Sequence, residues 1–325
     1  MKNIIDPHVH LFDLEQGNYD WLKPEFPPEW ADKKRICNSY NDSDLQRQTS
    51  FSIAGYVHIE AGFDNKQGHR ELLNVEHRAS LPQRSIGFID ITLKPAEFMT
   101  ELSKQLQQRS AVGIRHILEP LDTIHETTGL HEKAVETRHE HRITTLLENT
   151  NSFTNLRVLA KHNGIFELQC DVNNRELVVQ IFSFFQRLPT LRLVLNHAGF
   201  APTAFDLNGQ LNATFTDWKI NTQLLAQLRN IYVKCSGFEM IERAYDKAQI
   251  QAVLIHCINV FGAANVMLAS NFPLCQFSLS YENYWQQSFE VLDQMIEQRL
   301  LDTKHKKALY FDNAFRIYQF SQIGL

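Results

Sequence analysis

The sequence predicts a (β/α)8 TIM barrel, and three observations carry that expectation. Eight short apolar runs rich in β-branched residues punctuate the 325-residue chain, and amphipathic segments of helical spacing lie between them. No GxGxxG follows any run, which argues against an open dinucleotide-binding sheet. Several runs are continuously apolar rather than alternating, as parallel strands covered on both faces are. Roughly 150 residues per domain would divide the chain in two, but α/β barrels exceed that as one unit, so a single domain over 1–325 is expected.

In order, the runs are Ile4-Ile5, Ile53 to Ile59, Ser85 to Ile91, Val112 to Leu118, Ile165 to Cys170, Leu191 to Leu195, Ile231 to Cys235 and Val266 to Ala269. Between them, Phe98, Leu102 and Leu106 fall four apart, and Leu177, Ile181, Phe184 and Phe185 follow Asn173-Asn174 as a cap. Leu224, Leu225 and Leu228, then Ile250, Val253, Leu254 and Ile258, repeat the pattern before the next run. The two longest gaps follow the first and fourth strands, in Glu15 to Arg35 and Glu119 to Thr150. Loops after barrel strands gather at the C-terminal face, so both are expected to be lids or pocket walls. The first, with Trp21, Phe26, Trp30 and three prolines, reads as a stiff aromatic flap. The second carries His125, His131, His139 and His141, but His139-Glu140-His141 lacks the i, i+4 spacing of HExxH and would put its imidazoles on different sides of a helix.

Composition limits the function classes. With 43% hydrophobic residues and a net charge of -5, the chain has ample apolar material for a core and no electrostatic reason to seek nucleic acid or an anionic membrane. Its richest basic cluster, Lys304-His305-Lys306-Lys307, reads as a solvated helix face. No stretch approaches the roughly 18 to 20 apolar residues of a membrane span. The N-terminus runs into Asp6 without an apolar signal core, so a cytoplasmic location is expected. Cys37, Cys170, Cys235, Cys257 and Cys275 are odd in number and widely spaced, which suggests buried thiols rather than disulfides or a Cys-based zinc site. The expected partner is a small molecule, anionic or sugar-derived; homo-oligomerisation is left open.

Side chains at the C-terminal ends of barrel strands converge on one mouth. Here they would be Asp6, His8 and His10; His58 and Glu60; Asp90; Arg115 and His116; Gln169 and Asp171; Asn196 and His197; Lys234 and Ser236; Ser270 and Asn271. Such a concentration is hard to explain by packing, because buried polar groups cost free energy unless paired. His8 and His10 are the most specific element: residues i and i+2 of a strand share a side, so two imidazoles at this spacing aim into one space and can hold one cation.

The segment Ile4-Ile5-Asp6-Pro7-His8-Val9-His10-Leu11-Phe12-Asp13 resembles the opening of the amidohydrolase superfamily, in particular the amidohydrolase 2 branch that includes sugar-acid and pyrone-dicarboxylate lactonases. The likeness continues at Tyr19-Asp20-Trp21-Leu22, Gly113-Ile114-Arg115-His116, Leu195-Asn196-His197-Ala198-Gly199, Ala269-Ser270-Asn271-Phe272-Pro273 and Asp312 to Tyr318, so it spans essentially the full length. The resemblance implies a hydrolase that attacks a small carboxylated or sugar-derived lactone with water. At most one divalent metal, zinc or manganese, would be present, since strand four offers Arg115 and His116 rather than a carboxylated lysine; metal-free lactonases also occur in the branch. On this pattern His8, His10 and His197 would hold the metal or meet the substrate. His197, Asn271 and Glu60 would do catalytic work, and Arg115, His116, Asp171 and Trp21 would contact substrate. Arg115 suits a carboxylate or lactone oxygen, and equally an ion pair with Asp90 or Asp171.

The sequence departs from the pattern at strand eight. Asn271 stands where the superfamily has Asp, and a carboxamide can hydrogen-bond water but cannot take its proton. Cys275 stands where the branch has a further Asp. Three expectations stay open: Glu60, Asp171 or neutral His197 is the base; a metal is held by fewer ligands; or the barrel binds a small acid without turning it over. Decarboxylation of a small carboxylic acid is a further alternative.

Overall fold

A computed structural model of the chain describes residues 2–47, 49–64, 67–118 and 143–324. Eight parallel strands form one sheet in the order β1 to β8: β1 Asn3–Val9, β2 Ser52–Ile59, β3 Gln83–Phe88, β4 Ala111–Arg115, β5 Ile165–Leu168, β6 Arg192–Leu195, β7 Ile231–Cys235 and β8 Val266–Leu268. The helices that follow them are α1 Asp42–Gln46, α2 Gly68–Arg78, α3 Pro95–Leu106, α4 Thr150–Lys161, α5 Arg175–Phe185, α6 Ala213–Leu225, α7 Lys247–Phe261 and α8 Tyr281–Glu297. The (β/α)8 expectation holds. The four-histidine stretch lies outside the described residues, and the loop expected to reach Thr150 gives way to a helix at Ile143–Glu148.

β1 is longer than its apolar run implies and continues through Val9, although Pro7 has no N–H for the ladder. The pairing with β2 slips at that point, from Asp6 opposite Tyr56 to Val9 opposite His58, which is how a strand accommodates proline. Beyond β8 the ladder closes on β1: Asn271 N–H donates to the His8 carbonyl at 3.0 Å and His10 N–H to the Phe272 carbonyl at 2.7 Å. The His-x-His segment and the strand-eight departure are therefore stitched together through their backbones. β3 and β4 end earlier than expected, at Phe88 and Arg115.

Strand alternation divides the apolar residues into two layers. Ile5, Val57, Ile86, Val112, Ile165, Val194 and Met267 fill the barrel interior, and Ala314, Ile317, Tyr318 and Phe320 from the C-terminal segment plug its N-terminal end. The larger cluster lies between barrel and helices, where Phe98, Leu102, Ile181, Phe185, Val253 and Leu254 are buried. Leu106, expected on the same face, is the last residue of α3 and is exposed. The side chain of Asn174 caps α5 by accepting from the N–H groups of Glu176 and Leu177. Thr303–Lys307 buries no residue, as a solvated face should. Apolar side chains fill the lower interior, and the imidazoles His8, His10 and His197 are at the mouth.

Candidate active site

Three imidazoles meet at the mouth. His8 Nε2 and His10 Nε2 are 3.1 Å apart, and the His8 and His197 ring centroids are 4.6 Å apart. Each has its pKa held well below the ordinary histidine value, first by burial; Lys234 adds to this for His8 and Arg115 for His10 and His197. All three are thus uncharged at neutral pH. His8 is fully enclosed, whereas His10 and His197 keep 6% and 5% exposure and Arg115 and Glu60 keep 5% each.

His197 stands on strained backbone. It and Ala198 have φ of 53° and 49°, left-handed values that cost a residue with a Cβ free energy and recur where surrounding structure imposes a functional geometry. The next strand makes room: a Cβ on Gly237 would lie 2.6 Å from His197 Nδ1, so glycine is required there sterically as well as by its φ of +69°. His197 Nδ1 hydrogen-bonds the Ser236 hydroxyl at 3.0 Å.

Hydrogen bonds determine which imidazole nitrogen carries the proton. Lys234 is fully buried, its ammonium held by both oxygens of Glu167 at 2.9 and 2.8 Å, and it lies 3.3 Å from His8 Nδ1. Tyr318, from the plug, donates to the same carboxylate. Burial lowers the Lys234 pKa to about 8, so below that pH it is a cation that only donates. His8 Nδ1 therefore accepts, and its proton is on Nε2. His10 Nδ1 faces the Ile59 carbonyl at 2.9 Å and must donate, leaving Nε2 as acceptor. The 3.1 Å contact is then a hydrogen bond from His8 to His10, and a directed chain runs Lys234, His8, His10, Ile59.

This chain bears on the expected metal. Two nitrogens on a tetrahedral zinc ion would be about 3.3 Å apart given bonds of roughly 2.0 Å, so the spacing alone would suit a cation. A metal-bound imidazole, however, donates its other N–H to a carbonyl, carboxylate or water. His10 meets that condition; His8 faces an ammonium instead. The flanking charges, Lys234 and Arg115, are both positive, and among the described residues no group of three or more His, Cys, Asp or Glu side chains is arranged to hold a metal ion. As hydrogen-bonded here, the donor set does not fit a divalent cation.

The other expected residues divide between the mouth and its supports. Arg115 does form an ion pair, but with Glu60 rather than Asp90 or Asp171: Nε meets Glu60 Oε1 at 2.7 Å, Nη2 the Glu60 carbonyl at 2.6 Å, and Nη1 Gln169 at 2.7 Å. Among the described residues, two of its five N–H groups are left over. Glu60 Oε2 accepts from Gly62 N–H at 3.2 Å, so this carboxylate fixes Arg115 and is poorly placed to serve as a free base. Asp171 is taken up in a turn, accepting from the backbone and side chain of Asn173. His116, next to Arg115 on the chain, faces the other way: it packs edge-on against Phe88 and its Nδ1 accepts from Ile91 N–H at 3.2 Å. Trp21 donates to the Ala61 carbonyl at 2.7 Å and meets Phe12 and Trp30 edge-on, which sets the aromatic flap beside the end of β2.

Asn271 has φ of 61°, a left-handed conformation that asparagine tolerates better than most residues. Its Nδ2 donates to Glu239 Oε1 at 2.6 Å, while its own Oδ1 and Glu239 Oε2 are buried with no hydrogen-bond partner among the described residues. Glu239, fully buried on the turn after β7, was not expected from the sequence, nor was Glu167. Burial raises the Glu239 pKa to about 7 against the pull of Asn271. Enclosing a carboxylate costs several kcal/mol, and one charge-assisted hydrogen bond returns about 1.5–3 kcal/mol. The ionised form is therefore a net burden on the fold. Cys275 is buried nearby, its thiol pushed up by burial and by Glu239 and Asp6. All five cysteines are free thiols, with Cys37 half-buried and the other four buried.

Comparison with known proteins bears on the family and the fold. The model of the amidohydrolase family matches residues 5–320. An uncharacterised protein of Sinorhizobium fredii is 27% identical over 321 residues, covering 97% of this chain and 98% of its own. An L-fucono-1,5-lactonase of Burkholderia ambifaria is 22% identical over 282 residues, 86% of this chain and 83% of that protein. Among solved structures, an amidohydrolase of Burkholderia multivorans with bound zinc superposes with a TM-score of 0.71 at 17% identity, over 97% of this chain and 99% of that one. With a match from within the first strand to the C-terminal plug, the chain belongs to the amidohydrolase family, in its amidohydrolase 2 branch.

Proposed function

We propose that the mouth hydrolyses a small carboxylated or sugar-derived lactone. One observation carries the reading: three uncharged imidazoles, His8, His10 and His197, converge beside Arg115, a cation with two N–H groups to spare among the described residues. Hydrolysis of an ester needs a base for water and a donor for the carbonyl oxygen, and neutral imidazoles beside a guanidinium supply both. The lactone named for the Burkholderia ambifaria relative is of this class and lends support.

In this scheme Arg115, held by Glu60 and Gln169, takes the substrate carboxylate or carbonyl oxygen. Among the described residues no hydrogen bond occupies His197 Nε2, and this nitrogen takes a proton from water as the water oxygen bonds to the carbonyl carbon. Collapse of the tetrahedral adduct breaks the ring C–O bond, and the proton on His197 passes to the departing oxygen. The product is a hydroxy acid, which releases one proton to the medium on ionising. The Lys234 to His8 chain takes up the lone pair of His10 Nε2, so it fixes the two rings in place and leaves His197 as the imidazole that accepts from water. No step is routed through a metal; the zinc of the Burkholderia multivorans structure belongs to that protein.

The test is acid release from a panel of sugar-acid and dicarboxylate-derived lactones, before and after exhaustive chelation, with carbon dioxide followed in parallel. Ring opening that survives chelation is expected. Release of carbon dioxide from carboxylic acids without lactone turnover would replace this reading by decarboxylation. Binding without turnover of any panel member would leave a silent barrel.

A further inference from the structure

The Asn271 carboxamide cannot accept a proton near neutral pH, yet it is not left alone. Its amide nitrogen is 2.6 Å from a carboxylate contributed by the neighbouring strand's turn, so Nδ2 is directed to Glu239 and Oδ1 is the atom without a donor. A carboxylate only accepts hydrogen bonds, so while Glu239 is ionised the amide cannot turn over without setting two oxygens face to face. We propose that Glu239 is a positioning residue: it fixes the Asn271 carboxamide so that Oδ1 accepts a hydrogen bond from the water that attacks the lactone. This rests on the lactone-hydrolysis reading for its water, and on geometry alone for the amide orientation.

The proposal accounts for both departures at strand eight together. An Asp at 271 would bring a second carboxylate within 2.6 Å of Glu239, and an Asp at 275 would add another to the same enclosure, where Cys275 already feels the Glu239 charge. With Glu239 present and Asp6 also acting on Cys275, Asn and Cys are the residues that add no further acid there. The oxygen Asn271 offers holds one water hydrogen, and His197 takes the other as a proton, which divides between two residues the work of one aspartate.

A pH dependence follows. The charged or titratable groups around Glu239 are Arg243, whose guanidinium is paired with Asp32, and Tyr245, Cys275 and Tyr284, whose burial keeps them protonated. Asn271 adds a hydrogen bond and no charge. Once protonated, Glu239 can donate to a turned carboxamide, and Nδ2 rather than Oδ1 would face the water.

Two measurements test this. In labelled wild-type protein without substrate, the Asn271 side-chain amide resonances, assigned through Asn271→Asp, are expected to move in one transition between about pH 5 and pH 9 as Glu239 titrates. They should lose that transition in Glu239→Leu. In the lactone assay Glu239→Leu is expected to lower kcat on the order of 10- to 100-fold with KM little changed. The exchanged pair Glu239→Gln with Asn271→Asp keeps the hydrogen bond with its direction reversed. It should regain activity to within about 10-fold of wild type while losing the acid limb near pH 7. Amide resonances that ignore pH, or a folded Glu239→Leu with wild-type kcat and pH profile, would overturn the proposal. If no lactone is turned over by wild type, the functional reading fails separately, and the resonances alone decide the amide orientation.

Discussion

At the N-terminal end of the barrel, Arg84 donates to the carbonyls of Tyr318 and Arg109 and to Gln322, and Arg192 donates to the carbonyls of Ile317 and Asn163. At the C-terminal end, Glu239 keeps one carboxylate oxygen without a donor, Asn271 its amide oxygen, and Asn196 both amide atoms, all buried, among the described residues. Both ends enclose polar groups that water would solvate better, and Arg192 Nε also lacks a partner among the described residues, but the lower end spends its charges on the plug, whereas the upper end leaves a carboxylate oxygen and whole amide groups without donors or acceptors. Burial without pairing costs stability, and it is also what shifts a carboxyl or an imidazole to a reactive state near neutral pH. The difference separates a structural end from a chemical one.

The largest effect expected from that contrast is at His197. His197→Ala should lower lactone turnover on the order of 10³-fold while circular dichroism shows the barrel intact; full activity in a His8→Ala, His197→Ala double variant would remove the imidazole cluster from the mechanism. Lys234→Met sits between the two ends. It leaves Glu167 enclosed and uncompensated, so urea denaturation should show a loss of about 3–5 kcal/mol, and the His8 tautomer should cease to be fixed. An unchanged midpoint would mean that Glu167 is protonated or reached by water.

Glu239 should act in the opposite sense. Its pKa is about 7 in the fold against 4.5 for a free glutamate. Between these values the folded protein holds a proton that the unfolded chain has released, so stability declines as pH rises from 4.5 through about 7 and the loss persists above it. Glu239→Gln removes this dependence and should raise stability at pH 8 by roughly 3 kcal/mol, because each tenfold difference in proton affinity between the folded and unfolded chain is worth about 1.4 kcal/mol. A denaturation series across pH that is parallel for the two proteins would rule this out. The smallest effect belongs to the lower end: Arg84→Met orphans two carbonyls and should cost about 1–3 kcal/mol in denaturation experiments, with kcat unchanged. A change in kcat would show that the two ends are coupled, with the Tyr318 link to Glu167 as the route.

Much of this molecule is legible in the sequence. Strand and helix periods are local, so eight apolar runs with helices between them imply the barrel, and the i, i+2 spacing of His8 and His10 implies a shared direction that the pairing with β2 and β8 preserves. Arg115 reads as a mouth cation from its place at the end of β4, and the capping role of Asn174 from its composition. Other features depend on residues distant in the chain. The partner of Arg115 is Glu60, across β3, and not the aspartates on the adjoining strand ends. The proton on His8 is placed by Lys234 of β7, itself held by Glu167 of β5, which the apolar run from Ile165 to Cys170 conceals. Asn271 reads as a lost acid until the turn after β7 brings Glu239 against it, in a segment with no periodicity to mark it. Which elements form is decided by short-range pattern and burial; which proton each side chain carries is decided by charges brought together from several strands, and only the closed barrel defines those distances.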